Sequence, residues 1–258
     1  MPHVNPMRRL FNEKPTLVGV NVVMREPVAT EFLAQHFDYI WLDYEHTWMN
    51  RGDIINHLIA ARAGGDTPVV IRVPSEFPPA VKPLLDMGPA GIVFPMISTV
   101  EQARTAIAAC TYAPRGARGF CPMRVTSNFN RSYWDYAHEA DEHVFKILQI
   151  ESRQGVENID EILRLPGVDG VAVGPADMSA TIGRILEMGH PEMIALLERL
   201  CAAVAKAGLP LMTNGPSGPD DLRWWRERGA RAFTAGSDMG FMMGGAEPLA
   251  RGMRQALA

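Results

Sequence analysis

Charged and amide side chains stand at the ends of several short apolar runs. Trp41-Leu42 leads into Asp43-Tyr44-Glu45-His46, Ile71 into Arg72, Ile147-Leu148 into Gln149-Ile150-Glu151, and Ala172-Val173 into Gly174-Pro175-Ala176-Asp177. Glu151 and Asp177 are carboxylates on successive runs. A pair of this kind can supply oxygen ligands to Mg²⁺ or Mn²⁺ and leave octahedral positions for water and substrate. The competing reading is a structural ion pair with Arg153 or Arg184. A zinc site is disfavoured because the chain has no His/Cys cluster. His46 follows Asp43 and Glu45, either of which could orient its ring and raise its basicity for general-base work near neutral pH; alternatively it is a half-buried histidine satisfied by a backbone carbonyl. Arg72 could grip a carboxylate or meet a developing oxyanion, with a salt bridge to Asp43 or Glu45 as the alternative.

Residues at such positions must be held by a repeating scaffold. Strand-like runs fall at 16–23, 39–43, 68–72, 91–94, 145–151, 170–174, 210–213 and 232–235, with helical patterns at 28–36, 51–63, 78–87, 100–109, 155–165, 191–207, 219–228 and 239–256. Several runs are continuously apolar, as parallel strands covered by helices are. Eight strand–helix units in 258 residues predict an α/β chain forming a single (β/α)8 TIM barrel over residues 1–258, with active-site groups at the C-terminal ends of its strands. An open doubly wound sheet is the second choice, weakened by the lack of a Gly-rich dinucleotide fingerprint. Alternation along a strand puts Phe145, Ile147, Gln149 and Glu151 on one face, pointing into the barrel. Tyr112–Ser132, rich in Pro, Gly and Arg, reads as a long functional loop.

Composition removes other classes. With 25 Lys+Arg against 29 Asp+Glu the net charge is −4, and no basic run marks a nucleic-acid or anionic-membrane partner. No apolar segment is long enough to span a membrane, and the first residues lack the apolar core of a signal peptide, so a cytoplasmic location is expected. Cys110, Cys121 and Cys201 suggest no disulfide framework. Lys14, Lys82, Lys146 and Lys206 all avoid the strand C-termini, which argues against Schiff-base chemistry with substrate or pyridoxal phosphate. Phosphate-binding loops and the serine-hydrolase elbow are also missing, so no nucleotide is expected.

These strand ends resemble those of the HpcH/HpaI family, the metal-dependent pyruvate aldolases of the 4-hydroxy-2-oxoheptanedioate aldolase type. The resemblance is carried by Leu42-Asp43-Tyr44-Glu45-His46, where the family has glycine for Tyr44, and by Arg72-Val73-Pro74, Lys82 to Gly88 and Phe94-Pro95-Met96. Further matches are Tyr112 to Gly119, Gln149-Ile150-Glu151-Ser152-Arg153 and Gly167 to Ser179. It implies a carbon–carbon lyase that reversibly cleaves a 4-hydroxy-2-oxo acid into pyruvate, or a substituted pyruvate, and an aldehyde through an enolate stabilised by Mg²⁺, Mn²⁺ or Co²⁺. Glu151 and Asp177 would hold the metal, Gln149, Asp177 and the backbone at Ala176 the 2-oxo acid. Arg72 would stabilise the enolate, His46 would be the base, and Asp86 would raise its basicity. Asp86 falls at the end of a helix, on the far side of its own barrel, so a neighbouring subunit would have to supply it; Asp43 is the local alternative. The family's assembly, a homohexamer with an exchanged C-terminal helix, is implied as well. Two other reactions share the enolate, cleavage of malyl- or citramalyl-CoA-like thioesters and decarboxylation of oxaloacetate. A non-catalytic barrel with structural ion pairs is the reading from a different class.

Overall fold

The computed structural model describes residues 5–125, 133–215 and 218–258. Eight parallel strands close into a barrel in chain order. They are β1 (Leu17–Val22), β2 (Tyr39–Asp43), β3 (Val69–Arg72), β4 (Gly91–Phe94), β5 (Phe145–Ile150), β6 (Gly170–Val173), β7 (Leu211–Asn214) and β8 (Ala230–Ser237). Around them, in chain order, lie α1 (Pro6–Glu13), α2 (Pro27–Ala34), α3 (Arg51–Gly65), α4 (Pro78–Leu85), α5 (Val100–Cys110) and α6 (Tyr133–Glu139). The second half adds α7 (Arg153–Glu157), α8 (Ile159–Ile162), α9 (Pro175–Thr181), α10 (Pro191–Ala207), α11 (Pro219–Glu227) and α12 (Asp238–Leu257). The expected (β/α)8 architecture is therefore present, with its C-terminal helix.

Strand alternation sorts the apolar residues into two shells. Tyr39, Trp41, Val70, Val93, Phe145, Ile147, Ala172 and Met212 fill the barrel. Ile40, Leu42, Ile71, Ile92, Leu148, Ile150 and Val171 face outward under the helices. Because both faces are covered, β2 to β6 are buried along their whole length, which explains their continuous apolar runs. Gly19 is demanded by this filling: a Cβ there would lie 2.2 Å from the ring of Tyr39, whose hydroxyl pairs with Thr234 at 2.8 Å.

Four features depart from the sequence expectation. Helix α1 was not foreseen. It closes the N-terminal end of the barrel with Met7 and Phe11, buried against Phe145 and Leu17. It is barely two turns long, yet Met7, Leu10 and Phe11 already stand at helical spacing behind the Asn5 cap, so a signal for it was present in the sequence. The 155–165 pattern is broken at Asn158, which ends α7 and instead donates from Nδ2 to the Ser98 carbonyl at 2.8 Å. A short helix, α9, follows β6 at the segment read only as a strand end, and β8 is longer than expected. Of the 112–132 loop, residues 112–125 run irregularly beside α4 and the end of α5; residues 126–132, and Pro216 and Ser217, lie outside the described residues.

Helix α12 is anchored at its first residue. Asp238 accepts from the backbone N–H groups of Val23 and Met24, both at 3.0 Å, and of Met239 at 2.8 Å. From Phe241 onward every residue is exposed, including Met242, Met243, Leu249, Met253 and Leu257. Among the described residues no helix is long and apolar enough to cross a membrane.

The α1 plug hangs on Asn5. Its Nδ2 donates to the carbonyls of Ala90 and His143, both at 2.7 Å, and its Oδ1 accepts from Met7 and Arg8 N–H at the helix start. Asn5→Ala removes the cap and both Nδ2 bonds, although the Ala90 carbonyl keeps the Phe145 N–H at 3.0 Å. It should lower stability by about 2 kcal/mol and the melting temperature by several degrees in thermal unfolding followed by circular dichroism. An unchanged transition would show that the plug contributes nothing.

Candidate active site

Strand register brings Asp43 and Arg72 together. They are direct partners across β2 and β3 and both point inward. The guanidinium therefore forks onto the carboxylate, Nε to Oδ1 at 3.1 Å and Nη2 to Oδ2 at 2.7 Å. Asp43 Oδ1 also accepts from the backbone N–H of Glu45 at 3.0 Å and of His46 at 3.3 Å, and its carbonyl accepts from Thr47 Oγ1 at 2.7 Å. One aspartate thus folds the β2 to α3 turn and orients the arginine. The turn delivers Glu45 so that its Oε2 lies 3.2 Å from Arg72 Nε and 3.5 Å from His46 Nε2. The His46 carboxylate partner within the chain is Glu45, not Asp43. Of the two readings of Arg72, the ion pair is present, and with both Asp43 and Glu45.

Across the mouth, β5 carries Gln149 and Glu151 on the inner face with Phe145 and Ile147, as alternation requires. Glu151 is almost wholly buried. Its Oε1 accepts from Met96 N–H at 2.6 Å and its Oε2 from Gln149 Nε2 at 2.5 Å. Met96 adopts φ 54°, a left-handed conformation that a long side chain rarely takes, and the turn so formed aims its N–H at the carboxylate. Beside Glu151, the end of β6 has Gly174, where a Cβ would sit 2.0 Å from Oε2. The glycine is needed for the carboxylate to occupy this place. Asp177 follows in the first turn of α9, exposed, and Ala176 precedes it; the Gly174 N-cap provides no side-chain acceptor for these first N–H groups. Arg153 is engaged with Glu192, so the structural pairing weighed for the two acids is not made through that residue.

The electrostatics follow from this crowding. Burial raises the Glu151 carboxyl to about 6, against the hydrogen bonds from Gln149 and Met96 and with the negative charges of Asp177 and Glu45 adding to the rise. Glu45 is raised as well, chiefly by burial, with Arg72 and His46 opposing and Asp43 and Asp177 adding. Gln149 Oε1 is buried with no hydrogen-bond partner. Carboxylates that repel one another, an unused amide oxygen and a clearance kept open by glycine suit a hard divalent cation. Among the described residues no three His, Cys, Asp or Glu side chains are grouped to hold a metal. The carboxylates of Glu151 and Asp177 are the oxygen donors that could hold such a cation.

Asp86 lies elsewhere. It caps the C-terminal end of α4, at the end of the barrel opposite the mouth, 4.0 Å from Arg118 Nη2. Arg118 is fully buried over the ring of Tyr112 and bonded to Tyr136 Oη at 2.9 Å. The chain does not bring Asp86 to its own His46. Lys146, which opens β5, is held at that same distant end, 3.4 Å from Asp169. The sequence reading assigned no role to Met96 N–H or to Gly174; the glycine directly after a β6 run, in register beside Glu151, was the available signal.

Because its affinity for a proton is raised in the fold, Glu151 favours the folded state most below the ordinary carboxylate range and loses that contribution as pH rises through about 6. In metal-free protein Glu151→Gln should therefore unfold at the same or higher temperature than the native chain at pH 7–8, by on the order of 1–2 kcal/mol, with the difference vanishing near pH 4. The Gln149 amide can reverse to serve the new side chain. A pH-independent difference in the unfolding series would contradict the crowded-carboxylate description.

A family profile, HpcH/HpaI aldolase/citrate lyase, matches residues 23–244. The chain is 32% identical over 247 residues to the 5-keto-4-deoxy-D-glucarate aldolase of Shigella sonnei, covering 95% of each protein. Among solved structures, an HpcH/HpaI aldolase/citrate lyase family protein from Burkholderia cenocepacia superposes with a TM-score of 0.85 at 30% identity, covering 98% of both chains. An HpcH/HpaI aldolase from Desulfitobacterium hafniense gives 0.84 at 26% identity, covering 97% of this chain and 96% of that one. Barrel, site and relatives agree: the chain belongs to the HpcH/HpaI aldolase/citrate lyase family and is an aldolase, a carbon–carbon lyase.

Proposed function

We propose that the enzyme cleaves 4-hydroxy-2-oxo acids into pyruvate, or a substituted pyruvate, and an aldehyde, and runs the reverse addition, with a divalent cation such as Mg²⁺, Mn²⁺ or Co²⁺. The observation that carries this reading is the buried Glu151 carboxylate beside Gly174 and Asp177, facing Arg72 and the Glu45–His46 pair across one barrel mouth. The name of the Shigella relative's substrate describes the same skeleton: a ketone next to a terminal carboxylate, a deoxy carbon, then a hydroxyl-bearing carbon.

Glu151 and Asp177 would hold the cation, which supplies Lewis-acid polarisation of the 2-oxo group. Gln149 and the N–H groups at Ala176 and Asp177 fix the acid end of the substrate. His46 takes the C4 hydroxyl proton, the C3–C4 bond breaks, and the charge that gathers on the C2 oxygen is met by Arg72. Arg72 also has a structural duty, since without it Asp43 would be buried short of its counter-charge. Its contribution to turnover is therefore read from Arg72→Lys rather than Arg72→Ala. The exposed apolar face of α12, interrupted by Pro248 and several glycines, suits coverage by further copies of the chain in a hexamer. Such an assembly is also what would bring Asp86 of one copy toward His46 of another.

Chelation with EDTA should abolish cleavage of a 4-hydroxy-2-oxo acid, and added Mg²⁺, Mn²⁺ or Co²⁺ should restore it; full activity in verified metal-free protein overturns the cation assignment. His46→Ala should lose about 10²–10⁴-fold in kcat with an unchanged circular dichroism spectrum. Turnover equal to that of the native chain would remove His46 from the reaction. Oxaloacetate offered in parallel distinguishes decarboxylation from aldol cleavage.

A further inference from the structure

Four alternate strands carry a polar side chain two residues beyond an inward-facing position of the barrel filling. Asn21 follows Gly19 on β1, Arg72 follows Val70 on β3, Gln149 follows Ile147 on β5 and Asn214 follows Met212 on β7. Alternate strands of such a barrel share a layer, so these four side chains make the floor of the site. Arg72 and Gln149 already have roles there. Asn21 and Asn214 have none, yet they are joined, Asn21 Nδ2 donating to Asn214 Oδ1 at 3.1 Å. Asn21 Oδ1 is buried and has no hydrogen-bond partner. A carboxamide has two donor hydrogens and one acceptor oxygen, so the joined pair keeps the Asn21 oxygen as acceptor and the Asn214 amide N–H as donor. An unmet acceptor inside a barrel lowers stability, and two apolar side chains would fill the same place without that cost. A hydroxyl group, which both donates and accepts, satisfies the two ends at once.

The floor faces one carbon in particular. In the cleavage reading above, on which this inference rests, Gln149 takes the acid end and Arg72 the C2 oxygen, both from within the layer. His46, which takes the C4 hydroxyl proton, stands on the turn above β2 with its side chain 63% exposed, so whatever lies beyond C4 leads out to solvent. C3 is the carbon left over the floor. We propose that the Asn21–Asn214 pair is a specificity-determining subsite for a hydroxyl on C3, so that the preferred substrates are 3,4-dihydroxy-2-oxo acids and the acid released is 3-hydroxypyruvate. In the step, the C4 O–H proton passes to His46 and the O–H electron pair becomes the aldehyde C=O. The C3–C4 pair becomes a C2–C3 double bond with negative charge on the C2 oxygen, and a proton added at C3 completes 3-hydroxypyruvate. The C3 hydroxyl keeps its own proton, donating to Asn21 Oδ1 and accepting from the Asn214 amide. A site built around a hydroxyl discriminates against the analogue that lacks it, because its amides are then left unmet.

The test uses the native chain, Asn21→Leu and Asn214→Leu, each checked for folding by circular dichroism. Calorimetric titration with Mg²⁺ present should give the native chain a Kd for 3-hydroxypyruvate about tenfold or more below that for pyruvate, and either variant should bring the two acids within about threefold. Cleavage kinetics are then compared for 4-hydroxy-2-oxo acids that carry a further hydroxyl on C3, on C5 or on neither. The C3 compound should rank first in kcat/KM by a similar factor, and both variants should erase that rank. Equal binding of the two acids by the native chain overturns the proposal, and so does a preference that survives in both variants. A preference that follows the C5 hydroxyl overturns it as well and assigns the pair to the aldehyde half. If one variant does not fold, the other decides. Binding of neither acid with any divalent ion overturns the cleavage reading together with this one, whereas binding without discrimination overturns this one alone.

Discussion

Like charge confined at the barrel mouth is the constraint from which the rest follows. Asp43, Glu45, Glu151 and Asp177 lie within electrostatic reach of one another through this region, and Arg72 is the guanidinium among the described residues that opposes them. Arg72 is already divided between Asp43 and Glu45. Glu151 is left with two hydrogen bonds from neutral donors, which relieve burial only in part. A site so balanced gains from a dication, and it gains again when electron density moves toward that dication during reaction. The surplus of negative charge thus serves both occupancy and chemistry.

The barrel makes this arrangement durable. Parallel pairing fixes Asp43 beside Arg72 and sets Glu151 next to the end of β6, so the relations between these groups are set by main-chain ladders rather than by mobile side chains. The β4 to α5 turn is stitched to β5 at two points, Met96 N–H on Glu151 and Ile97 N–H on the Gln149 carbonyl at 3.1 Å. Rigid elements of this sort hold charges where solvent would otherwise reorganise around them.

Much of this is written locally in the chain. Continuous apolar runs ending in Asp43, Arg72, Glu151 and Asp177 reveal both the strands and the polar rim, because period-two alternation and burial act within a few residues. The inward facing of Phe145, Ile147, Gln149 and Glu151 follows from the same rule. What the sequence leaves unread depends on distant contacts. The role of Asn5 exists only because Ala90 and His143 arrive beside it, and Met96 gains its role only where β5 closes on the turn. Choosing between Asp43 and Glu45 as the partner of His46 required the register of β2 against β3, which assigns Asp43 to Arg72. Asp86 is recognisable by resemblance alone, since its own barrel carries it to the wrong end.

Helix α1 joins the beginning of the chain to its end. Its last carbonyls, those of Phe11 and Lys14, accept from the guanidinium of Arg231 on β8 at 2.5 and 2.8 Å, while Phe11 stacks on Phe145 of β5 with ring centres 5.6 Å apart. One short helix is thus answerable to two strands that are not neighbours in the barrel, and its full set of contacts exists only where β5 and β8 both stand in place.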